Sequence, residues 1–142
     1  MAKKKAIEKI KQILETSKVG VLSTAYNNHP NSRYMIFYND GEILYTKTSK
    51  DSFKVDEIRS NPHVHILLGY NETKNRSFVE FSGKAEIVED QATIDWLWNK
   101  QDKSFFKSKD DANLIVLKMI PEEIKLLNDD DVDTPETIDF TK

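Results

Sequence analysis

The sequence predicts a mainly β domain with flanking helices, in which about six or seven antiparallel strands curl toward a barrel. Several segments alternate apolar and polar residues with the two-residue period of strands, and two or three stretches have helical spacing. Gly83 lies inside one of the alternating segments, which indicates a β-bulge of the kind that lets small sheets close. With 142 residues, the chain is long enough for one domain with its own core.

The composition excludes several classes of function. The chain has no cysteine, so disulfides, thiolate metal sites and cysteine nucleophiles are excluded. No apolar run approaches the roughly 20 residues of a membrane span. The lysine-rich start leads into an amphipathic helix rather than an apolar signal sequence, so we expect a cytoplasmic protein. The net charge is −3 and the chain lacks an arginine patch, so nucleic-acid binding is not expected.

The N-terminal part is predicted as one helix followed by a central strand. Apolar residues at helical spacing predict a helix over residues 4–17 that packs one face onto the core. Small and apolar residues then predict a strand over 19–25, and a turn over 26–30 reverses the chain.

A hairpin is predicted next. Alternation indicates strands over residues 31–38 and 42–48, separated by Asp40-Gly41, which is a two-residue turn signal. Pairing of these strands would bring Arg33 close to Thr46 across the ladder.

A short helix follows the hairpin and suggests an anion site. Asp51 or Ser52 can cap its start, and Asn61-Pro62 ends it, because proline disfavours helical geometry in the preceding residue. The first turn of a helix offers free backbone N–H groups, and Lys50 and Lys54 flank this one. A phosphate placed there meets donors from backbone, hydroxyl and ammonium groups.

The remaining elements complete the predicted sheet. We expect strands over 63–70, 77–87 and 114–120, a helix that Glu89-Asp90 caps, and a turn with a short final strand over 121–127. From Asn128 to Lys142, six acidic residues stand against one lysine, a net charge of −5. The sequence therefore predicts a domain over residues 1–127 and a solvated, mobile acidic tail over 128–142.

Two groups of residues leave alternatives open. His63 and His65 share one face of a predicted strand and could bind a metal ion, but no third ligand has a matching spacing, so no metal site is predicted. Trp96, Trp98, Phe105 and Phe106 form a dense aromatic group that could line the exposed face of an aromatic cofactor, but we expect it to pack onto the barrel or at a subunit interface.

Five segments of the chain are informative together: Asn31–Tyr38, Asp40–Thr46, Ser52–Lys54, Ile58–Val64 and Ser82–Glu86. In this order and spacing they resemble the FMN-binding split-barrel family. This is the superfamily of pyridoxamine 5′-phosphate oxidase, and the general stress protein 26 branch is the most similar part of it. The resemblance extends over roughly residues 19–88.

The resemblance implies a six- to seven-stranded antiparallel split β-barrel, a flavoprotein oxidoreductase and a homodimer with the cofactor at the subunit interface. The implied cofactor is FMN, and FAD is not excluded. Ser77, Phe78 and the stretch Trp96–Trp98 are candidates to reach the flavin of a neighbouring subunit. The implied cofactor-binding residues are Arg33, Tyr34, Met35, Ile36, Tyr45, Thr46, Lys50, Ser52 and Lys54.

The same resemblance assigns roles within this set. Arg33 and Lys54 would hold the phosphate with Ser52 and the helix start. Tyr45-Thr46 would reach the phosphate and the ribityl chain, and the backbone of residues 34–36 would run along the edge of the isoalloxazine ring. The catalytic residues, the substrate and the electron donor are not predicted.

The chain departs from the oxidase pattern in two places. Phe53 stands where the oxidases carry an arginine, and Lys50 could replace that arginine in part. The oxidases also end in an Arg-x-His segment that binds the substrate phosphate, whereas this sequence ends in acidic residues. We therefore expect a related flavoprotein that does not oxidise pyridoxamine phosphate.

Two alternatives to an FMN oxidoreductase stay open. One is a noncatalytic flavin-binding stress module, because no residue stands out as a dedicated acid, base or nucleophile. The other is a relative that binds deazaflavin F420 or haem, with His63 or His65 as the haem ligand.

Overall fold

The structure is a computed structural model that describes residues 2–74, 76–100 and 113–141, and it confirms the predicted split-barrel class. None of its described helices is long and apolar enough to cross a membrane. The elements are α1 (Ala2–Thr16), β1 (Val19–Tyr26), β2 (His29–Ile36), β3 (Tyr38–Asp40), β4 (Ile43–Ser49), α2 (Phe53–Ser60), β5 (His63–Gly69), β6 (Phe78–Val88), α3 (Gln91–Lys100), β7 (Leu114–Leu127) and β8 (Glu136–Asp139).

One curled antiparallel sheet contains all the described strands. Its order is β2-β1-β5-β6-β7-β4-β3, and β8 pairs with β7. The first half of β7 pairs with β4 and the second half pairs with β8, while β6 runs along its other edge. The short strands β3 and β8 raise the strand count above the predicted six or seven.

The predicted bulge lies at Gly83. The register between β6 and β7 shifts between Ser82 and Gly83, and a Cβ atom at Gly83 would overlap the carbonyl oxygen of Ile120. Pro121, which lies opposite Gly83, has no N–H to contribute to the ladder, and this position tolerates that loss. The predicted break at residue 121 is wrong because β7 continues through the bulge as one strand.

Both hairpin turns differ from the prediction by one or two residues. The β1–β2 turn is Asn27-Asn28 alone, with positive φ angles of 51° and 64° that asparagine tolerates well. As a result, β2 begins at His29. The β3–β4 turn is Gly41-Glu42 rather than Asp40-Gly41, because Asp40 already pairs with Ile43.

The predicted ladder between Arg33 and Thr46 is wrong. The predicted strand over residues 31–38 is interrupted at Phe37, whose ring is fully buried and whose N–H donates to the carbonyl of Lys18. Before this break β2 pairs with β1, and the segment after the break, β3, is the part that pairs with β4. Arg33 therefore lies opposite Leu22, on a different strand pair from Thr46.

The core divides into two clusters on opposite faces of the sheet. The main cluster packs α1 through Ile10 and Leu14 against the sheet, as the helical spacing predicts. A second cluster packs Leu97 and Trp98 of α3 against Val116. Val116 belongs to the second cluster and its neighbour Leu117 to the main one, because successive side chains of a strand point to opposite faces.

Part of the acidic tail belongs to the folded domain, so the prediction of a solvated tail is wrong for it. Val132 and Ile138 are buried in the main cluster, and β8 pairs with β7 over Glu136–Asp139. Apolar residues alternate with the acids here, so the strand buries one face and exposes its carboxylates. Net charge along the chain does not reveal this alternation.

Asp129 anchors the tail to the rest of the fold. Its side chain is 2% exposed, and it accepts hydrogen bonds from the hydroxyl of Ser77 at 2.9 Å and from the backbone N–H of Asp131 and Val132. The ammonium of Lys9 on α1 lies 3.9 Å away. Burial by itself would raise the pKa of Asp129, but these hydrogen bonds and the charge of Lys9 lower it overall.

We expect Asp129→Asn to lower the free energy of unfolding by about 1–3 kcal/mol at neutral pH, because it removes a buried charged acceptor. The lowered pKa means that this stabilisation is present above the unfolded value of 3.8 and is lost as pH falls through the folded value. Urea unfolding at neutral and acidic pH measures both effects. Asp130→Asn, at the exposed neighbour, is the control, and equal stability of Asp129→Asn and wild type at neutral pH would contradict the assignment.

Candidate functional site

A buried carboxylate joins α2 to the β1–β2 hairpin. The side chain of Glu57 is 2% exposed. It accepts hydrogen bonds from Thr24 Oγ1 at 3.3 Å, from Asn31 Nδ2 at 2.8 Å and from Arg33 Nη2 at 3.4 Å. A buried charge is expensive unless it is paired and hydrogen-bonded, and these three donors meet that requirement.

The same contacts orient Arg33. Its Nη1 donates to Thr24 Oγ1 at 2.9 Å and to the carbonyl of Leu22 at 3.4 Å, while Nη2 donates to Glu57. These bonds use three of the five guanidinium N–H groups. Within residues 2–74, 76–100 and 113–141, no side chain or carbonyl accepts from Nε. Arg33 therefore keeps Nε–H and one Nη2–H, a pair of donors suited to a bidentate oxyanion.

Lys54 lies in the first turn of α2, is partly buried, and is close enough to Arg33 for that positive charge to act on its ammonium. Burial lowers the pKa of its ammonium, and the positive charge of Arg33 lowers it further. In the described part of the chain, no carboxylate or carbonyl pairs with Lys54. The side chains of Arg33, Lys54 and Glu57 thus form one corner of the molecule, the anion corner, with two cations and one buried carboxylate. This arrangement suits a bound anion.

Two hydroxyl groups border the same corner. Ser52 occupies the N-cap position of α2 with extended backbone geometry, but its hydroxyl makes no capping hydrogen bond. Instead it lies 3.4 Å from Oγ1 of the buried Thr48 on β4. Since the cap leaves the first N–H groups of α2 without a side-chain acceptor, an anion at this helix start meets both backbone and hydroxyl donors.

Tyr45 and Thr46 lie on opposite faces of β4. The buried hydroxyl of Thr46 donates to the carbonyl of Ile36 at 2.7 Å and connects β4 to the end of β2. Tyr45 packs edge-on against Trp96 of α3, with ring centroids 4.9 Å apart. Burial raises the pKa of Tyr45, and nearby carboxylates raise it further. The phenol therefore faces the α3 cluster rather than the anion corner.

Lys50 is engaged outside the Arg33–Lys54 corner. Its ammonium lies 3.2 Å from the carboxylate of Glu89, and both side chains are exposed. Among the described residues, Lys50 therefore has a carboxylate partner, whereas Lys54 has none.

The backbone of residues 34–36 lies at the free edge of β2. Tyr34 is 78% exposed, whereas Met35 packs against the main core cluster. The carbonyl of Ile36 faces Thr46, so the N–H and C=O groups of Tyr34, two residues earlier, also point away from β1. This edge can donate to and accept from a planar heterocycle.

His63 and His65 lie on the sheet face opposite Arg33. His65 lies opposite Ser23 in the β1–β5 pair, and Arg33 lies opposite Leu22 in the β1–β2 pair. The neighbouring side chains of Leu22 and Ser23 point to opposite faces of β1, so Arg33 and His65 do as well. His65 lies 3.8 Å from Glu80, and His63 lies 4.0 Å from Glu122. The described residues contain no group of three or more metal-ligating side chains.

Ser77 and Phe78, two of the candidates to reach the flavin of a neighbouring subunit, have contacts within their own chain, and two of the predicted aromatic residues lie outside the described residues. Ser77 is buried against Asp129, and Phe78 packs edge-on against Tyr70. Phe105 and Phe106 lie outside the described residues. Glu57, Thr24 and Asn31 are the site residues that sequence reasoning missed.

Comparison with known proteins identifies the family. The sequence profile of the family described as pyridoxamine 5′-phosphate oxidase matches residues 6–128. The chain belongs to the pyridoxamine 5′-phosphate oxidase family. Within this family it is 43% identical over 122 residues to general stress protein 26 of Bacillus subtilis, covering 85% of this chain and 87% of that protein.

Solved structures agree with this family. General stress protein 26 from Bacillus anthracis superposes with a TM-score of 0.83 at 32% identity, covering 95% of this chain and 98% of the other. A pyridoxamine 5′-phosphate oxidase-related, FMN-binding protein from Nostoc punctiforme shares the fold, with a TM-score of 0.63 at 17% identity over 87% and 81% of the two chains.

We expect Lys54→Met to raise the free energy of unfolding of the ligand-free protein by about 0.5–2 kcal/mol, because it removes a desolvated cation beside Arg33 and keeps the apolar stem. The pKa of Lys54 is lower in the folded protein than the unfolded value of 10.5, so its protonated form lowers the free energy of unfolding. This destabilisation is complete below the folded pKa and disappears as the pH rises toward 10.5. The gain should therefore shrink at alkaline pH in urea unfolding. Lys50→Met, which loses an exposed ion pair, should bring no gain, and an equal gain in both variants would contradict the account.

Proposed function

We propose that this chain is a cytoplasmic FMN-binding flavoprotein, an oxidoreductase of the general stress type within its family. The observation that carries the proposal is the partly buried ammonium of Lys54, which lies beside Arg33 and has no carboxylate partner in the described chain. A fold maintains such an unpaired, desolvated cation at a cost in stability, and a bound anion offsets that cost.

The donors at this corner fit the phosphate of FMN. Arg33 offers its two remaining N–H groups, Lys54 offers its ammonium, and Ser52 and the first turn of α2 offer a hydroxyl and backbone N–H groups. The free edge of β2 at Tyr34 leads away from Arg33 and supplies backbone donors and acceptors for the ring. The flavin supplies the redox chemistry when bound, and these side chains bind and orient it.

We propose that the oxidised or reduced partner of the flavin is a small molecule other than pyridoxamine phosphate. Phe53 stands where the oxidases of the family carry an arginine next to the site lysine, so this chain has one cation fewer at that position.

We propose further that the protein is a homodimer with FMN at the subunit interface. An apolar groove of about 480 Å³ crosses strands β2, β1, β5 and β6 on the face opposite Glu57. It exposes 59% of Val19, 78% of Tyr34 and 40% of Leu67. A second copy of the chain offers the same apolar surface, and Tyr34 joins this groove to the strand edge proposed for the flavin.

Lys54→Gln should weaken FMN binding about tenfold to a hundredfold, because it removes one charge-assisted hydrogen bond to the phosphate. Fluorescence quenching of FMN on titration with the protein measures the dissociation constant. Lys50→Gln removes a lysine four residues away that already pairs with Glu89, and it should bind FMN as wild type does. If Lys50→Gln weakens binding as much as Lys54→Gln, the phosphate lies elsewhere.

Leu67→Glu should convert the protein from a dimer to a monomer of 16.5 kDa, because it places a carboxylate in the apolar groove of each subunit. Light scattering coupled to gel filtration measures the mass, and Leu67→Met is the size-matched apolar control. A wild-type protein that has the mass of one chain at every concentration would overturn the dimer. If cofactor binding needs both subunits, Leu67→Glu also loses FMN.

Anaerobic mixing of the FMN complex with NADH or NADPH separates catalysis from binding alone. Bleaching of the flavin absorption identifies an oxidoreductase and its electron donor. A flavin that stays oxidised with both nucleotides favours the noncatalytic binding module.

A further inference from the structure

The buried carboxylate of Glu57 sits behind the proposed phosphate site. It contacts the guanidinium of Arg33 directly, and its side chain is almost completely removed from solvent. Arg33 is itself only 26% exposed, so water screens this pair far less than a surface pair. The charge of Glu57 therefore acts on whatever Arg33 binds.

The charges at this corner can be counted. Arg33 and Lys54 contribute two positive charges and Glu57 contributes one negative charge, so these three partly or fully buried side chains carry a net charge of +1. Asp56 in the first turn of α2 is exposed, and solvent screens its charge. The start of α2 adds roughly +0.5. A phosphate monoester carries about −1.5 to −2 near neutral pH, which this corner balances without a large excess of either sign.

The remaining N–H donors of Arg33 also fit a single phosphate group. Glu57, Thr24 and the carbonyl of Leu22 accept from three of the five guanidinium N–H groups. Nε–H and one Nη2–H remain, and two donors suit one bidentate oxyanion. Arg33 is held in one orientation before any ligand binds, so little rotamer entropy is lost on binding.

We propose that Glu57 is a charge-setting and positioning residue for the anion site: it cancels the charge of Arg33, holds its guanidinium, and thereby matches the site to a single phosphate monoester. The inference rests on the proposed function, because it assumes that Arg33 and Lys54 face the phosphate of the flavin. It assigns a role to a side chain that touches neither the phosphate nor the ring.

The test compares FMN with riboflavin, which has the same ring and no phosphate. Glu57→Gln keeps the shape and an acceptor oxygen but removes the charge. It should tighten FMN binding about tenfold, as expected when one negative charge is removed from a partly buried site, and leave riboflavin binding unchanged. A purely structural role would change both affinities equally or neither, and that result would overturn the proposal, as would weaker FMN binding in a folded Glu57→Gln variant.

Asp56→Asn is the matched control. Asp56 is the preceding residue on the same helix, but it is exposed and does not contact Arg33. Loss of its charge should leave the ratio of FMN to riboflavin affinity within about twofold of wild type, because solvent and salt screen it. An Asp56→Asn effect as large as that of Glu57→Gln would show a general charge effect and overturn the specific role of Glu57.

A charge-complementation cycle gives an independent test. Lys54→Gln lowers the net charge of the corner to zero and should reduce the preference for FMN over riboflavin. Adding Glu57→Gln restores a charge of +1 and should recover about tenfold of that preference. No recovery in a folded double variant would overturn the proposal even if Glu57→Gln alone does not fold.

A failed flavin titration distinguishes the two proposals. If wild type binds neither FMN nor riboflavin, the proposed function is wrong. The same variants are then compared by the rise in melting temperature that inorganic phosphate produces. A larger rise in Glu57→Gln than in wild type supports the role of Glu57 at an anion site, and an equal rise or no rise in both overturns it.

Discussion

The contact of buried Glu57 with Arg33 is the interaction on which the candidate site depends. Glu57 lies on α2, and its three donors lie on β1 and β2, so the pair fixes the helix start against the hairpin. Without this contact, Arg33 would lose its charged partner on α2, and only Thr24 and the carbonyl of Leu22 would hold its guanidinium. One carboxylate therefore serves both the fold and the site.

This dual role changes how the site can be probed. Arg33→Ala leaves the carboxylate of Glu57 buried without its charged partner, at a cost of about 3 kcal/mol or more. Lys54 has no such partner in the described chain, so its variants report on binding more directly.

Much of the fold could be predicted from local patterns, and the exceptions have physical causes. Gly83 signals the bulge because only glycine fits where its Cβ would meet the backbone of Ile120. The uninterrupted course of β7 could not be predicted, since Pro121 normally ends a strand and is tolerated only opposite that bulge. The burial of Ile138 could not be predicted, because acidic residues flank it in the sequence and suggest a solvated segment.

The site was predictable in part. Family resemblance predicts Arg33, Ser52 and Lys54 as cofactor-binding residues, which stays a prediction. Alternation within a strand does not say which neighbour the strand pairs with, so the predicted partner of β2 was wrong. Two signals pointed to the missed network. Thr24 is a polar residue on the apolar inward side of β1, and Glu57 lies next to Ile58 on a helix that must bury one face. Only the fold shows that these two positions meet.

The most direct measurement of the central claim is the visible absorption spectrum of the purified wild-type protein after incubation with excess FMN and desalting. The account predicts that flavin absorption bands stay with the protein and that denaturation releases FMN. A colourless protein would contradict an FMN site at Arg33 and Lys54, and retained haem or deazaflavin absorption would assign the fold to a different cofactor.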